Sequence, residues 1–177
     1  MLENLKQFVP SEVCLSCDGC CRFKEAKSVW RPQVSAEEIH LSKKKGLADI
    51  IFSKTTMDPE HRIKTVSCKD GENICYFFTP ETNTCKIYEF RPFECRLYPF
   101  VLRKSDSVVS MTVHKLCPFI EQQAKTEEFS KYAAYLKDFF QHQDVIDFVQ
   151  KHSLSLSDYH DYQDELEYLF TVCSPSL

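Results

Sequence analysis

Cys14-Leu15-Ser16-Cys17-Asp18-Gly19-Cys20-Cys21 is the stretch that decides how this chain folds and what it holds. Two-residue spacers let successive thiols turn to the same side, so Cys14, Cys17 and Cys20 can converge on one centre. Asp18-Gly19 supplies the flexible turn that such a tight loop needs. The adjacent pair Cys20 and Cys21 points its side chains in different directions, and sharing one site would distort the backbone between them.

Outward from that loop lies a second group, Cys75, Cys85, Cys95 and Cys117, separated by 9, 9 and 21 residues. Cys85 follows a turn, Cys95 lies in a Pro-bounded segment, and Cys117 precedes Pro118. Element ends of this kind are where ligands are presented, although four buried cysteines acting as small hydrophobes would give the same spacing. Cys68 is a spare thiol and Cys173 lies near the terminus. The run Cys14-x-x-Cys17-x-x-Cys20 is similar to the start of a bacterial ferredoxin cluster loop, whose last ligand is remote. Zinc sites use one such pair with a second pair downstream. Both readings stand at this point, as does a redox thiol switch or disulfide scaffold.

The chain has 177 residues, 10 cysteines and 3 glycines, so its length is enough to bury a core without cross-links. Gly19, Gly46 and Gly71 are too scattered for a phosphate-binding loop or a dinucleotide fingerprint. Met1-Leu2-Glu3-Asn4-Leu5-Lys6-Gln7 shows no basic stretch followed by an apolar run, and apolar runs elsewhere are short. The expectation is a cytoplasmic protein with no membrane span, where clustered thiols hold metal rather than form disulfides. Residues 1–117 carry 18 Lys/Arg against 15 Asp/Glu, and residues 118–177 carry 4 against 11. That acidic tail argues against a nucleic-acid partner; a protein partner stays open.

The expected fold class is α+β: a small β-rich cysteine-cluster body with flanking helices and a C-terminal helical region. Residues 10–23 read as loop. Ser35-Ala36-Glu37-Glu38 is a capping box, opening a helix that runs to Lys45 and stops at Gly46. A second short helix is expected over residues 47–52. Residues 61–67 and 74–78 read as strands, and residues 97–103 and 107–114 as a hairpin. From residue 119 the apolar spacing predicts one amphipathic helix through Phe140, a shorter helix over residues 144–151, and a last helix capped by Ser157 and carrying Leu166, Leu169 and Phe170. The expected boundaries are 1–118 for the cysteine-cluster domain and 119–177 for a helical extension packed on it.

The first motif with its following Arg22, taken with Cys85-Lys86-Ile87-Tyr88-Glu89-Phe90-Arg91-Pro92-Phe93-Glu94-Cys95-Arg96-Leu97-Tyr98-Pro99-Phe100, resembles the CxxCxxCC (YkgJ-type) cysteine-cluster family. The likeness spans residues 14–118. It implies zinc or iron chelation by Cys14, Cys17, Cys20, Cys21, Cys75, Cys85, Cys95 and Cys117, with an iron–sulfur cluster such as 4Fe-4S, or Zn, as cofactor. Relatives of that family include a flagellin lysine N-methylase, which gives the alternative of a cluster-dependent methyl- or group-transfer enzyme acting on a protein. Four thiolates around one zinc ion leave a net negative charge, and Arg22, Arg91 and Arg96 stand close enough in sequence to offset it. Tyr88, Tyr98 and Phe100 read as packing around the site. His114, three residues before Cys117, is the one histidine placed to join a cysteine site, and no catalytic Ser-His-Asp or Cys-His pair can be written.

Overall fold

The computed structural model of the chain describes residues 2–46, 52–55, 58–68, 70–153 and 156–174. The fold is α+β, with helices and small antiparallel sheets. Two compact units form: Pro10–Arg96, and Met1–Val9 together with Leu97–Leu177.

In the Pro10–Arg96 unit the elements are short. Helix α1 (Ser11–Ser16) starts after Pro10, whose φ of −56° is already helical, and ends where Cys17 turns extended. It occupies part of the stretch read as loop. Six residues with none buried leave no apolar period to detect. A 3₁₀ turn, Gly19–Cys21, then leads into strand β1 (Arg22–Phe23). Helix α2 (Ala36–Lys44) carries the expected capping box: Ser35 Oγ accepts from the Glu38 N–H, and Glu38 Oε2 accepts from the Ser35 N–H. Gly46, at φ +82°, takes the left-handed conformation after the last turn. Residues 47–51 of the expected second helix lie outside the described residues, and Phe52 opens strand β2.

Strand β2 (Phe52–Thr55) pairs with β3 (Asp58–Ile63), while β4 (Thr65–Ser67), β5 (Asn73–Cys75) and β1 form a sheet in the order β1-β5-β4. Gly71, at φ +86°, sits in the turn that joins β4 to β5. The stretch read as one strand over 74–78 is broken at Tyr76–Phe77 and resumes as β6 (Phe78–Thr79), paired with β7 (Thr84–Cys85) across a turn with Asn83 at φ +52°. A 3₁₀ turn (Tyr88–Phe90) and helix α3 (Phe93–Leu97) follow. Phe23, Val34, Ile63, Ile74, Cys75, Phe77, Phe78 and Ile87 make the core, with Cys21, Cys68 and Cys85 packed against it.

The other unit is more regular. Strands β8 (Phe100–Ser105) and β9 (Val108–His114) form the expected hairpin, turning at Asp106 with φ +51°. Helices α4 (Pro118–Gln123) and α5 (Glu127–Phe139) replace the single expected helix. Thr126 interrupts it, because its hydroxyl accepts from the Phe129 N–H and so caps a new start. Helix α6 (Gln143–His152) covers the shorter expected one. The last expected helix is instead strand β10 (Leu166–Cys173), paired antiparallel to β9. Tyr168, Phe170, Thr171 and Val172 favour extended backbone, and β9 would otherwise present an open edge. Phe8 packs edge-on against Phe100, Phe119 and Phe129, while Leu136, Val145 and Val149 are fully buried.

Glu38 does more than close the capping box. Its Oε1 also accepts from the Phe93 N–H at 2.6 Å, which ties α2 to the head of α3. Loss of the Ser35 hydroxyl alone is worth about 1 kcal/mol, whereas removing a carboxylate that accepts two backbone N–H bonds is worth about 2–3 kcal/mol. Glu38→Ala is therefore expected to lower the urea unfolding midpoint more than Ser35→Ala, and equal midpoints would show that the bond to α3 contributes nothing.

Candidate metal centre

Cysteine side chains from α1, the Gly19–Cys21 turn, β5, β7 and α3 come together in the Pro10–Arg96 unit. All ten cysteines of the chain carry free thiols. Cys14 is half-buried on α1, a helix with no fully buried residue, and Cys17 ends it. The Cys17 Sγ stands 3.7 Å from where a Cβ on Gly19 would be, so the loop curls back on itself here.

Register explains the next pair. Arg22 lies opposite Ile74 and Phe23 opposite Asn73, so one further step brings Cys21 beside Cys75. Cys85 is held opposite Phe78, the residue immediately after the Tyr76–Phe77 break. Cys95 rides on α3, the helix whose head Glu38 fixes.

Their electrostatics follow from this crowding. The Cys20 and Cys21 thiols hydrogen-bond to each other, which pulls Cys20 below and drives Cys21 above the ordinary thiol range. Burial pushes Cys75 up to about 12, with the charges of Cys85 and Cys20 adding to it. Burial first, then neighbouring sulfurs, also raises Cys14, Cys85 and Cys95.

Opposing these are groups aimed at the anion. The backbone N–H groups of Phe77 and Phe78 donate to Cys75, and that of Ile87 donates to Cys85. Arg91 Nη1 donates to Cys14 Sγ at 3.3 Å, and the guanidinium lies 3.6 Å from the centre of the Tyr88 ring. The Tyr88 hydroxyl bonds the same sulfur. Arg91 also favours the thiolates of Cys20, Cys85 and Cys95. Such donors gain little from a neutral thiol and much from a thiolate.

The other two arginines do different work. Arg22 forms ion pairs with Asp18 and, at 2.9 Å, with Glu72, and its guanidinium lies over the Phe78 ring. It ties the cysteine loop to the β4–β5 turn rather than to a sulfur. Arg96 lies in the last turn of α3.

Cys117 is buried at the head of α4, in the other unit. His114 there uses both ring nitrogens, one with the Tyr98 hydroxyl at 2.8 Å and one with Glu165 at 3.2 Å. Burial lowers its pKa against the opposing pull of Glu165. Neither the Tyr98–His114–Glu165 chain nor the Tyr88 contact with Cys14 was legible in the spacing, since both partners of each come from distant or differently paired segments.

Soft thiolate donors beside one guanidinium suit zinc or iron. Among the described residues, no three His, Cys, Asp or Glu side chains stand at coordination geometry around one point. The donor set fits a thiolate-bound metal, and the sulfurs are neighbours without being closed into a coordination shell. No helix among the described residues is long and apolar enough to cross a membrane.

Neither a curated protein nor a solved structure matches the chain. A family model does match it over residues 13–135, which takes in most of α1, every cysteine of the Pro10–Arg96 unit, Cys117 and most of α5. The chain therefore belongs to the CxxCxxCC family, described as a putative zinc- or iron-chelating domain.

Proposed function

We propose that this protein binds its metal through the cysteines of the Pro10–Arg96 unit, as zinc or as an iron–sulfur cluster, in a reducing, cytoplasmic setting. The observation that carries this reading is the set of donors aimed at sulfur: backbone N–H groups on Cys75 and Cys85, and Arg91 on Cys14. A buried thiol that served only as a small hydrophobe would have no use for them. Cys14, Cys17, Cys20, Cys21, Cys75, Cys85 and Cys95 would hold the group. Bound there, it would supply a positive centre that draws the thiols into their ionised form, with the displaced protons released to solvent. Arg91 would offset the negative charge left on the sulfurs.

Elemental analysis with a UV–visible spectrum of anaerobically purified protein separates the two cofactors. Iron with acid-labile sulfide and a broad band bleached by dithionite identifies a cluster; zinc in a colourless protein identifies a thiolate zinc site. Cys17→Ser and Cys95→Ser are each expected to lower the metal content and the unfolding temperature, while Cys173→Ser leaves the metal content unchanged. Full metal and full stability in both site variants would refute the assignment. Metal content of Cys117→Ser reads the part played by the cysteine of the other unit.

The response to pH has a definite sign. Cys14, Cys21, Cys75, Cys85 and Cys95 bind protons more tightly in the folded chain than an ordinary thiol does. A raised folded value stabilises below the unfolded value, about 8.5, and that contribution is lost as pH climbs through the folded values. The metal-free protein is therefore expected to lose urea resistance as pH rises from about 8.5. The metal-loaded protein should do the opposite and lose resistance on acidification, as protons displace the metal. Arg91→Met, which removes the cation favouring four thiolates, is expected to move the pH of half-maximal metal release upward. A release curve unmoved by that change would show that Arg91 does not act on the bound sulfurs.

A further inference from the structure

Three polar side chains at one end of the β10-β9-β8 sheet have no part in the metal-binding reading. Tyr98 stands two residues ahead of β8, His114 closes β9, and Glu165 comes immediately before β10. All three belong to the unit that contains Leu97–Leu177. Strand order brings them together. Because β9 runs between the other two and antiparallel to both, its last residue meets the start of a neighbour on each side.

The His114 ring spans the gap. The Tyr98 hydroxyl lies 2.8 Å from its Nδ1, and Glu165 Oε2 lies 3.2 Å from its Nε2. An ionised carboxylate only accepts, so Nε2 carries the proton of the neutral ring and Nδ1 turns its lone pair to the Tyr98 O–H. A hydroxyl, a base within hydrogen-bond reach and a third group orienting that base make up an activated nucleophile. The strand ends do not need this chain as a clasp. The His114 N–H already donates to the Pro99 carbonyl, and the Lys115 N–H to the Glu165 carbonyl, each at 2.9 Å. Nor is the group sealed from solvent: Tyr98 is half-buried, and the His114 and Glu165 side chains are 14% and 31% exposed.

We propose that Tyr98 is a nucleophilic tyrosine that accepts an activated acyl group, with His114 as its base and Glu165 as the residue that positions the base. The Tyr98 oxygen forms a bond to the acyl carbonyl carbon while its proton passes to His114 Nδ1. The bond from that carbon to the leaving group then breaks. The leaving group departs with the bonding pair and takes up the proton from His114. Glu165 holds the transient imidazolium, whose other proton stays on Nε2. The product is a phenolic ester at Tyr98, and no oxidant or reductant is consumed. None of these groups is a cysteine, so the assignment stands apart from the metal-binding reading.

N-Acetylimidazole is the probe, added at neutral pH to the full-length protein as purified. O-acetylation is followed tyrosine by tyrosine through peptide mass mapping, and removal by hydroxylamine identifies the phenolic ester. If exposure alone governed the reaction, Tyr168 and Tyr76, 60% and 43% exposed, would lead. Tyr98 is instead expected to react about tenfold or more faster than either, the effect of a positioned base. His114→Gln should bring Tyr98 below Tyr168 and leave the rates of Tyr168 and Tyr76 unchanged. Glu165→Gln, which keeps an acceptor for the Nε2 proton, should retain more of the Tyr98 advantage than Glu165→Ala.

A Tyr98 rate no greater than that of Tyr168 in the wild-type protein would overturn the nucleophile. A fast Tyr98 that stays fast in His114→Gln would overturn the base, and equal rates in Glu165→Gln, Glu165→Ala and wild type would overturn the role of Glu165. The wild-type ranking decides the nucleophile even where a variant fails to fold.

Discussion

Repulsion among thiolates is the constraint around which the Pro10–Arg96 unit is built. Six sulfurs lie close enough to alter one another's ionisation, and five of them are held protonated by burial or by a neighbour. Charging them together in a half-buried site would be prohibitive without a cation. Yet the amides of Phe77, Phe78 and Ile87 and the Arg91 guanidinium all favour the charged form. The site is thus arranged for a state that it cannot reach alone. A multivalent cation resolves the conflict, because it neutralises the sulfurs while keeping every donor satisfied.

The scaffold around the sulfurs is a set of ties between segments far apart in sequence. Glu38 joins α2 to the segment bearing Cys95. Arg22 joins the first cysteine loop to the β4–β5 turn through Asp18 and Glu72. Buried Arg62 donates to the carbonyls of Val29 and Arg31 at 2.8 and 2.6 Å, which fixes the chain leading from the first motif to α2. Each tie is a charged group bonded to backbone or to an opposite charge. Such bonds position a loop better than a few apolar contacts do, because they are directional.

What the sequence made legible follows from how local each signal is. The capping box at Ser35 and Glu38, the Gly46 stop and the β8–β9 hairpin are carried by neighbouring residues, and all appear as expected. The end of α4 and start of α5 turned on one hydroxyl, Thr126, which an apolar period does not register. Strand β10 was missed because Leu166, Leu169 and Phe170 fit a helical spacing as well as a strand. What decides is β9, an edge that sequence spacing cannot show. In the site, the two cysteine groups were visible as spacing. The pairing of Cys21 with Cys75 was not, since it depends on a register set by two residues of β1. Arg91 could be singled out beside Pro92, whereas the preference of Arg22 for carboxylates over sulfur depended on Glu72, fifty residues away.

The distribution of cysteines fits the same physics. Eight of the ten lie in the unit where, among the described residues, strands run two to six residues and the longest helix has nine. The other unit has strands of six, seven and eight residues and a 13-residue helix, and Cys117 and Cys173 are buried there. Short strands contribute few ladder bonds, and small cores bury too little apolar surface to fix a chain rich in turns. A metal held by thiolates from these segments, as proposed, would cross-link those turns directly, and folding free energy and metal affinity would then be one quantity. On this argument the cysteines stand where regular structure is thinnest because there a bound metal would take the place of a larger core.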